Sequence, residues 1–328
     1  MSTYKKEVGT AVQNNAGDYT GAVEGQLWYN STAGSFQFRS FTTAGAWATG
    51  GNLNTARSSL GGTGATKDAA LAFGGGPPPA PTASALTESY NGTAWTEVSD
   101  LNSQRALIGS AGTYTSAIAG GGDQYSGTSE SWNGTTWTNL SNSPNTGHTQ
   151  KAAGADNTNA LFFGGSPASV NNTTAYWNGS AWATLNPLNT VGQRGAGSGK
   201  TYTAALAIGG DNPSPGFLSI VESFNGTSWT EIADINTARR DMGGSGTQTS
   251  TLIFGGAVPP VVQSLTESWN GTSWTETTDL STARNNLGQA GADNTNALAF
   301  GGGAPGDTAA TEEWTGAGAP LTLTFTDS

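Results

Sequence analysis

The side chains best suited to chemistry in this 328-residue chain are its few charged ones, and the most regular of them are arginines. Four arginines stand at matching positions of a repeated segment: Arg57, Arg105, Arg239 and Arg284. An active site is asymmetric and occurs once, so a residue that recurs from repeat to repeat indicates a structural role. A guanidinium donates several hydrogen bonds in one plane, and we expect each arginine to bond carbonyls of a neighbouring repeat.

The other candidates for chemistry do not form a site. His148 is the only histidine, and the sequence shows no partner for it in acid–base or nucleophilic catalysis. Asp156 and Asp293 recur within GADNTNAL, where Asp-Asn is typical of a turn, and no EF-hand loop is present. The chain has no cysteine, which excludes thiol nucleophiles, disulfides and cysteine-based zinc sites. The sequence predicts no catalytic residue, metal or cofactor, and a protein that is not an enzyme.

Charge and hydropathy narrow the class of partner. The net charge of −11 repels phosphate backbones, so we expect no nucleic-acid binding. No apolar run approaches the roughly 20 residues that span a bilayer, so we expect no membrane insertion. The first residues, MSTYKKEVGTAVQNN, lack an apolar stretch after the lysines, and we expect no signal peptide.

An internal repeat must position all these residues. An apolar segment that ends in paired glycines recurs at Gly74, Gly120, Gly164, Gly209, Gly255 and Gly301. A tryptophan series runs in step with it: Trp47, Trp95, Trp137, Trp182, Trp229 and Trp274. Two markers that share one period of about 45 residues indicate a repeat architecture with units the size of a propeller blade.

Each unit holds four short predicted strands. The unit from Ser264 to Gly302 contains LTESWN, the turn Asn270-Gly271, TSWTETTDL, a run of small residues and finally TNALAFGG. Asn-Gly between two β-rich runs predicts a hairpin with a type I′ turn, which needs positive φ at both residues. The small-residue runs, such as 59–65 and 243–247, suit an inner strand at a crowded axis, and the aromatic strands suit the wider periphery.

This pattern resembles the kelch repeat. The shared features are LIFGG, then an ESW or ESY strand, then a tryptophan about five residues later, and they recur over residues 36–316. The chain departs from kelch in carrying Asn-Gly where an acidic turn usually follows the aromatic residue. The resemblance implies an all-β fold, a six-bladed kelch-like β-propeller over residues 36–328 after an N-terminal extension of residues 1–35.

Two strands compete to complete the sixth blade. The last repeat has a third strand at Thr311–Gly316 but no tryptophan-bearing fourth strand after it. The N-terminal segment at 45–57, with Trp47, could supply that strand, close the ring and remove free sheet edges. The alternative is that Leu321–Thr326 closes the blade itself. We favour the N-terminal strand because only Trp47 preserves the tryptophan series.

The N-terminal extension carries a second resemblance. Its segment GQLWYN, within a predicted hairpin of LWYN and SFQFRS, looks like short segments of phage tail-fibre and other virion structural proteins. Repeats of the WNGTSWTE type look like structural proteins of marine phages. These resemblances imply a location in the virion, with residues 1–35 as the contact to other virion proteins and as a candidate surface for homo-oligomers.

The loops after the paired glycines are the candidate recognition surface, because they differ between repeats and should all lie on one face. Their prolines lower the ordering cost of binding. The residues singled out are Pro77, Pro78, Pro79, Asp211, Asn212, Pro215, Pro259, Pro260, Pro305 and Asp307. The leading hypothesis is a virion fibre, tail or capsid protein that recognises a host glycan or surface protein. The alternatives are an intracellular kelch-type interaction module and, more weakly, a propeller glycosidase or lyase.

Overall fold

The computed structural model describes residues 12–17, 19, 26–41, 44–76, 83–122, 127–166, 171–212, 216–303, 306–317 and 320–324. In this part of the chain the regular secondary structure is all β, as predicted. A search of the same residues for a helix long and apolar enough to cross a membrane finds none. The chain divides into two compact units, residues 1–45 with 316–328 and residues 46–315.

The strands are numbered in chain order. The first fifteen are β1 (Gln13–Asn15), β2 (Leu27–Asn30), β3 (Ser35–Phe41), β4 (Ala46–Thr49), β5 (Gly61–Thr66), β6 (Ala69–Phe73), β7 (Thr87–Tyr90), β8 (Trp95–Val98), β9 (Gly109–Gly112), β10 (Ala117–Gly120), β11 (Ser129–Trp132), β12 (Trp137–Asn139), β13 (Lys151–Asp156), β14 (Asn159–Phe163) and β15 (Thr174–Trp177). The remainder are β16 (Trp182–Leu185), β17 (Ala196–Thr201), β18 (Ala204–Asp211), β19 (Phe217–Phe224), β20 (Trp229–Ile232), β21 (Gly243–Thr247), β22 (Ser250–Phe254), β23 (Ala257–Val258), β24 (Val261–Val262), β25 (Thr266–Trp269), β26 (Trp274–Thr277), β27 (Gly288–Asp293), β28 (Asn296–Phe300), β29 (Thr311–Thr315) and β30 (Pro320–Thr324).

The unit of residues 1–45 and 316–328 contains one four-stranded sheet in the order β1-β2-β3-β30. The predicted hairpin is present, since β2 and β3 pair antiparallel around the turn at 31–34. Asn30 holds this turn, because its side-chain oxygen accepts hydrogen bonds from the Thr32 and Ala33 amides, both at 3.0 Å. Trp28 on β2 is fully buried.

The unit of residues 46–315 contains four-stranded antiparallel sheets and the two-stranded sheet β23–β24, an arrangement compatible with a propeller. The sheet orders are β5-β6-β7-β8, β9-β10-β11-β12, β13-β14-β15-β16, β17-β18-β19-β20, β21-β22-β25-β26 and β27-β28-β29-β4. In the last sheet β4 pairs with β29, placing Trp47 opposite Trp314, whereas β30 pairs with β3. The pairing of the Trp47 strand is thus the one favoured from the sequence.

Packing between sheets explains the residue types. On β5, a methyl group in place of the Gly62 hydrogen would lie 2.5 Å from the Gln289 amide nitrogen of β27. The first strands of adjacent sheets therefore approach too closely for larger side chains, as predicted. Further out, Trp95 of β8 packs on Phe300 of β28 with ring centroids 4.8 Å apart. Small residues thus lie where the first strands of neighbouring sheets meet, and aromatic residues lie where the fourth strands pack on the adjacent sheet.

The type I′ turn prediction is wrong. In the Asn-Gly segment after β7, Gly92 has φ of +88°, whereas the φ of Asn91 is not positive. The Asn91 side-chain oxygen instead accepts the amides of Thr93 and Ala94, at 3.0 and 2.9 Å. The asparagine therefore builds an Asx-type turn in a four-residue loop between the paired residues Tyr90 and Trp95.

Candidate functional site

The repeated arginines are buried, and each forms an ion pair with a glutamate on the third strand of a sheet. The sequence analysis did not predict these glutamates as partners. The pairs are Arg57–Glu88, Arg105–Glu130, Arg239–Glu267 and Arg284–Glu312. Arg284 also donates to the carbonyls of Gly301 and Ala310, at 3.3 and 2.7 Å, in the sheet that follows it along the chain. The structural role is confirmed. The glutamates could have been found, since they recur in the ESW and ESY segments.

Two consecutive sheets lack this pair. In the sheet β13–β16, Gly147 takes the place of the arginine and Ala175 the place of the glutamate. The Asn145 amide nitrogen there donates to the carbonyls of Gly164 and Thr173, at 3.0 and 3.3 Å. These carbonyls correspond to the two that Arg284 bonds in its own sheet. A neutral amide thus replaces the guanidinium where the acidic partner is also missing.

The sheet β17–β20 keeps its glutamate, Glu222, but has Gly192 at the arginine position. Lys151 from the start of β13 supplies a cation instead, and its ammonium donates to the Gly209 carbonyl at 2.9 Å. Burial lowers the pKa of Lys151 to about 8, although the charges of Glu222 and Asp211 act in the opposite direction. Room for this side chain comes from Gly195, where an added methyl group would lie 2.3 Å from Lys151 Cε.

A ring of six residues precedes the first strands of the sheets, and we call it the collar. Each collar residue has φ between +51° and +60°, and none of them is glycine. The collar residues are Ser59, Leu107, Thr149, Arg194, Asp241 and Asn286. The amide of each donates to the carbonyl of the one before it, and the Ser59 amide donates to the Asn286 carbonyl, so the hydrogen bonds form a cycle.

The collar surrounds a cavity of about 90 Å³ that all six of its residues line. Gln289 and Lys151 are also in the lining, together with apolar side chains such as Leu60 and Met242. At the other end of the first strands lies a smaller cavity of about 40 Å³. Lys200 borders that cavity and donates from β17 to the Gly291 carbonyl at 2.6 Å. Burial lowers the pKa of Lys200 to about 8.

Several polar groups of the collar cavity have no partner within the described residues. Arg194 makes no side-chain hydrogen bond and no ion pair in this part of the chain. The Ser59 hydroxyl is buried and without a hydrogen bond. Backbone strain at the collar costs on the order of 1 kcal/mol per residue, and such strain tends to collect at functional sites.

The acidic group of the cavity, Asp241, is offset by a neighbouring arginine. Arg240 forms ion pairs with both Asp241, at 3.3 Å, and Asp211. Burial raises the pKa of Asp241 to about 6, while Arg194 and Arg240 act to lower it. The two cations of the lining, Arg194 and Lys151, thus form no ion pair within the described residues, although the Arg194 charge acts on Asp241.

The predicted recognition residues fall into two groups. Pro77, Pro78, Pro79, Pro215 and Pro305 lie outside the described residues. The others lie in the loops that follow the paired glycines, and their role in recognition remains a prediction.

Asp211 is buried in its ion pair with Arg240 and holds the loop together, while the Asn212 side chain accepts the Gly216 amide at 3.3 Å. Pro259 and Pro260 are exposed at the tip of the β23–β24 hairpin. Asp307 is exposed and forms a β-bridge with Gly303. The accessible candidates among these are thus the prolines of the hairpin and Asp307.

The collar was not found from the sequence. The segments TVGQRGAG and NTARRDMGG differ from the other repeats in charge just before the small-residue strand, at Arg194 and Asp241, and this difference was the available signal.

Comparison with known proteins does not assign the chain to a family: no family model matches it, and no curated protein matches it.

Proposed function

We propose that residues 46–315 form a closed six-bladed propeller of kelch-like repeats and that the protein is a non-enzymatic recognition protein displayed on a virion. One observation carries the recognition part of this proposal. The loops after the paired glycines differ from sheet to sheet, and they begin beside the collar on an otherwise repeated scaffold. Bridges such as Gln193 to Asp211 and Arg240 to Ala257 join collar neighbours to the starts of these loops.

Two sets of contacts support the closed ring. The cycle of collar hydrogen bonds passes once through each of six sheets and returns to its first residue. At the periphery, Trp95 Nε1 donates to the Thr311 hydroxyl at 3.0 Å, which ties the sheet β5–β8 to the sheet that contains β4. Beside it, Glu313 accepts a hydrogen bond from the Tyr90 hydroxyl at 2.7 Å and pairs with Lys67 at 2.9 Å.

The loops themselves support recognition because they differ in shape as well as in sequence. After Gly209, β18 and β19 extend as paired strands to Asp211 and Phe217. After Gly255, the chain instead forms the separate hairpin β23–β24, which exposes 55% of the Val261 side chain. Variable loops on a rigid scaffold are the usual means by which propeller-like folds present a binding surface.

The virion assignment is supported by the resemblance of the N-terminal segment and the repeats to phage structural proteins. Residues 1–35 would then attach the protein to other virion components. Mass spectrometry of purified particles tests this directly: the chain should be present in stoichiometric amounts. If infected cells produce the protein but the purified virus particles lack it, the virion assignment is contradicted.

Recognition is tested by two matched substitutions in the full chain. Val261→Asp places a charge on the loop face, and Tyr114→Asp places one at the far turn between β9 and β10, where the tyrosine is 42% exposed. We expect the labelled protein to bind host cells and Val261→Asp to weaken that binding about tenfold or more, whereas Tyr114→Asp should leave it unchanged. Equal effects of the two variants, or turnover of a surface polysaccharide, would contradict the proposal.

A further inference from the structure

The unpartnered groups of the collar cavity point to a ligand of defined chemistry. Arg194 shares the left-handed backbone of the collar, and its partly exposed guanidinium makes no hydrogen bond or ion pair among the described residues. A guanidinium presents paired donors in the geometry of a carboxylate. A ligand carboxylate would satisfy these donors.

The remaining polar groups match hydroxyl groups. Ser59 exposes only 5% of its surface, and its buried hydroxyl has no hydrogen-bond partner. The side chains of Asn286 and Gln289 also line the cavity and have no hydrogen bond within the described residues. A hydroxyl both donates and accepts, as these amides do, so a ligand with several hydroxyl groups would satisfy them together.

The charge of the cavity favours an anion over a neutral sugar. The lining holds two cations, Arg194 and Lys151, and one acid, Asp241. Asp241 forms an ion pair with Arg240 and also interacts electrostatically with Arg194, so cations outnumber acids in the lining. The wider protein carries a net charge of −11, so a site that attracts anions is a local exception. The Lys151 ammonium is committed to the Gly209 carbonyl.

The size and the apolar part of the lining limit the ligand further. The cavity volume of about 90 Å³ exceeds the roughly 10–15 Å³ that one water molecule needs and is smaller than the pocket of a drug-sized ligand. This volume suits a small group of atoms, such as a carboxylate with the adjoining part of one ring. Leu60, Ile108 and Met242 in the lining provide contacts for the C–H groups of such a ring.

We propose that the collar cavity binds a hexuronate, the acidic residue of a surface polysaccharide, with its carboxylate on Arg194 and its hydroxyl groups on Ser59, Asn286 and Gln289. This inference rests on the proposed recognition function and names the ligand class of its central site. The surrounding loops would contact the sugars on either side of the bound residue.

Isothermal titration calorimetry of the full chain tests the site with free glucuronate. Glucose has the same ring without the carboxylate, and acetate has the carboxylate without the ring. We expect glucuronate to bind and both controls to bind about tenfold more weakly or worse. Acetate that binds as tightly as glucuronate would overturn the assignment to a sugar, and glucose that does so would overturn the role of the charge.

A matched pair of variants tests the residue. Arg194→Asn removes the guanidinium, and Lys67→Asn removes a cation at the turn between β5 and β6, outside the lining of the cavity. Asparagine tolerates the positive φ of Arg194, so both variants should fold, and their thermal unfolding temperatures verify this. We expect glucuronate affinity to fall about tenfold or more in the first variant and to stay within about threefold in the second.

Equal affinity in the wild type and Arg194→Asn, or no binding of glucuronate by the wild type, would overturn the proposal. The recognition function can fail separately. It fails if Val261→Asp and Tyr114→Asp bind host cells equally, whatever the result with glucuronate. Conversely, a failure of glucuronate to bind leaves the comparison of the two surface variants intact.

Discussion

In four sheets of the repeated unit, an arginine that is ion-paired with a buried glutamate donates hydrogen bonds to backbone carbonyls in or after the second strand. In two consecutive sheets, other side chains donate to the equivalent carbonyls. In the sheet β13–β16 both charges are absent, and Asn145 bonds the same two carbonyls. In the sheet β17–β20 the glutamate remains, and Lys151 from the preceding sheet bonds the Gly209 carbonyl and interacts electrostatically with that glutamate. The requirement is therefore to satisfy buried carbonyls and to balance buried charge, and no single residue type is needed for it.

The comparison also shows where the structure departs from its repeat. The two sheets without the arginine–glutamate pair contribute Thr149 and Arg194 to the collar, and the next contributes Asp241. Gly192 and Gly195 lie beside Arg194 and accommodate Lys151. The scaffold is thus rearranged on the side of the ring that carries the unpartnered guanidinium. Asymmetry of this kind is expected of a binding site and is not required by packing.

The largest expected effect comes from breaking a charged pair. Arg284→Met leaves Glu312 buried without its cation, and we expect a loss of about 3–5 kcal/mol in the free energy of unfolding. The double variant Arg284→Met with Glu312→Leu should lose less, because it removes both charges as the sheet β13–β16 does. Denaturant unfolding measures both. A double variant less stable than the single one would contradict the interpretation of the comparison.

The second effect concerns Lys151 and appears as a pH dependence. Its pKa is about 8 in the folded protein and 10.5 ordinarily, so between these values only the unfolded chain holds the proton. Stability should therefore rise with pH across this window, by about 3 kcal/mol in all, and below pH 8 the contribution is constant. Lys151→Met should remove the Lys151 contribution to this rise, and so reduce the total rise, when unfolding is measured from pH 7.5 to 10.5.

Lys67→Met serves as the control for the pH experiment. The pKa of Lys67 is raised, mainly through its hydrogen bonds to Glu313 and Asp68 against the opposing effect of burial. Its removal should therefore leave the rise in stability above pH 8 in place. Lys200 contributes a similar rise in stability in the wild type and in both variants. Its contribution therefore cancels when the rises measured for two proteins are subtracted. A rise that persists unchanged in Lys151→Met would show that this amine is charged normally.

The smallest effect concerns the neutral substitute. Asn145→Ala leaves the carbonyls of Gly164 and Thr173 without its amide, and also removes an acceptor for Gln150 and Asn171. We expect a loss of about 1–3 kcal/mol in the free energy of unfolding. Asn133→Ala, in an exposed turn where the side chain accepts two amides, is the matched control and should cost less. Equal losses would show that burial of the Asn145 network adds nothing.

The all-β class, the four strands of each repeat and the structural role of the arginines could be predicted from the sequence alone. This was possible because paired glycines, tryptophans and small-residue runs recur at one spacing, and each reports on local backbone or packing needs. The sequence also favoured the pairing of the Trp47 strand over that of Leu321–Thr326, since only the former kept the tryptophan series.

How the buried charges are paired depends on contacts between distant parts of the chain. Glu222 and Lys151 are far apart in the chain, and the collar draws one residue from each of six segments, so no local pattern marks either as a unit. The Asn-Gly turns were misread because the dipeptide allows two turn geometries, and the paired register selected the four-residue loop. Repetition specifies what is equal in every sheet, whereas a site made of differences appears only when the sheets are brought together.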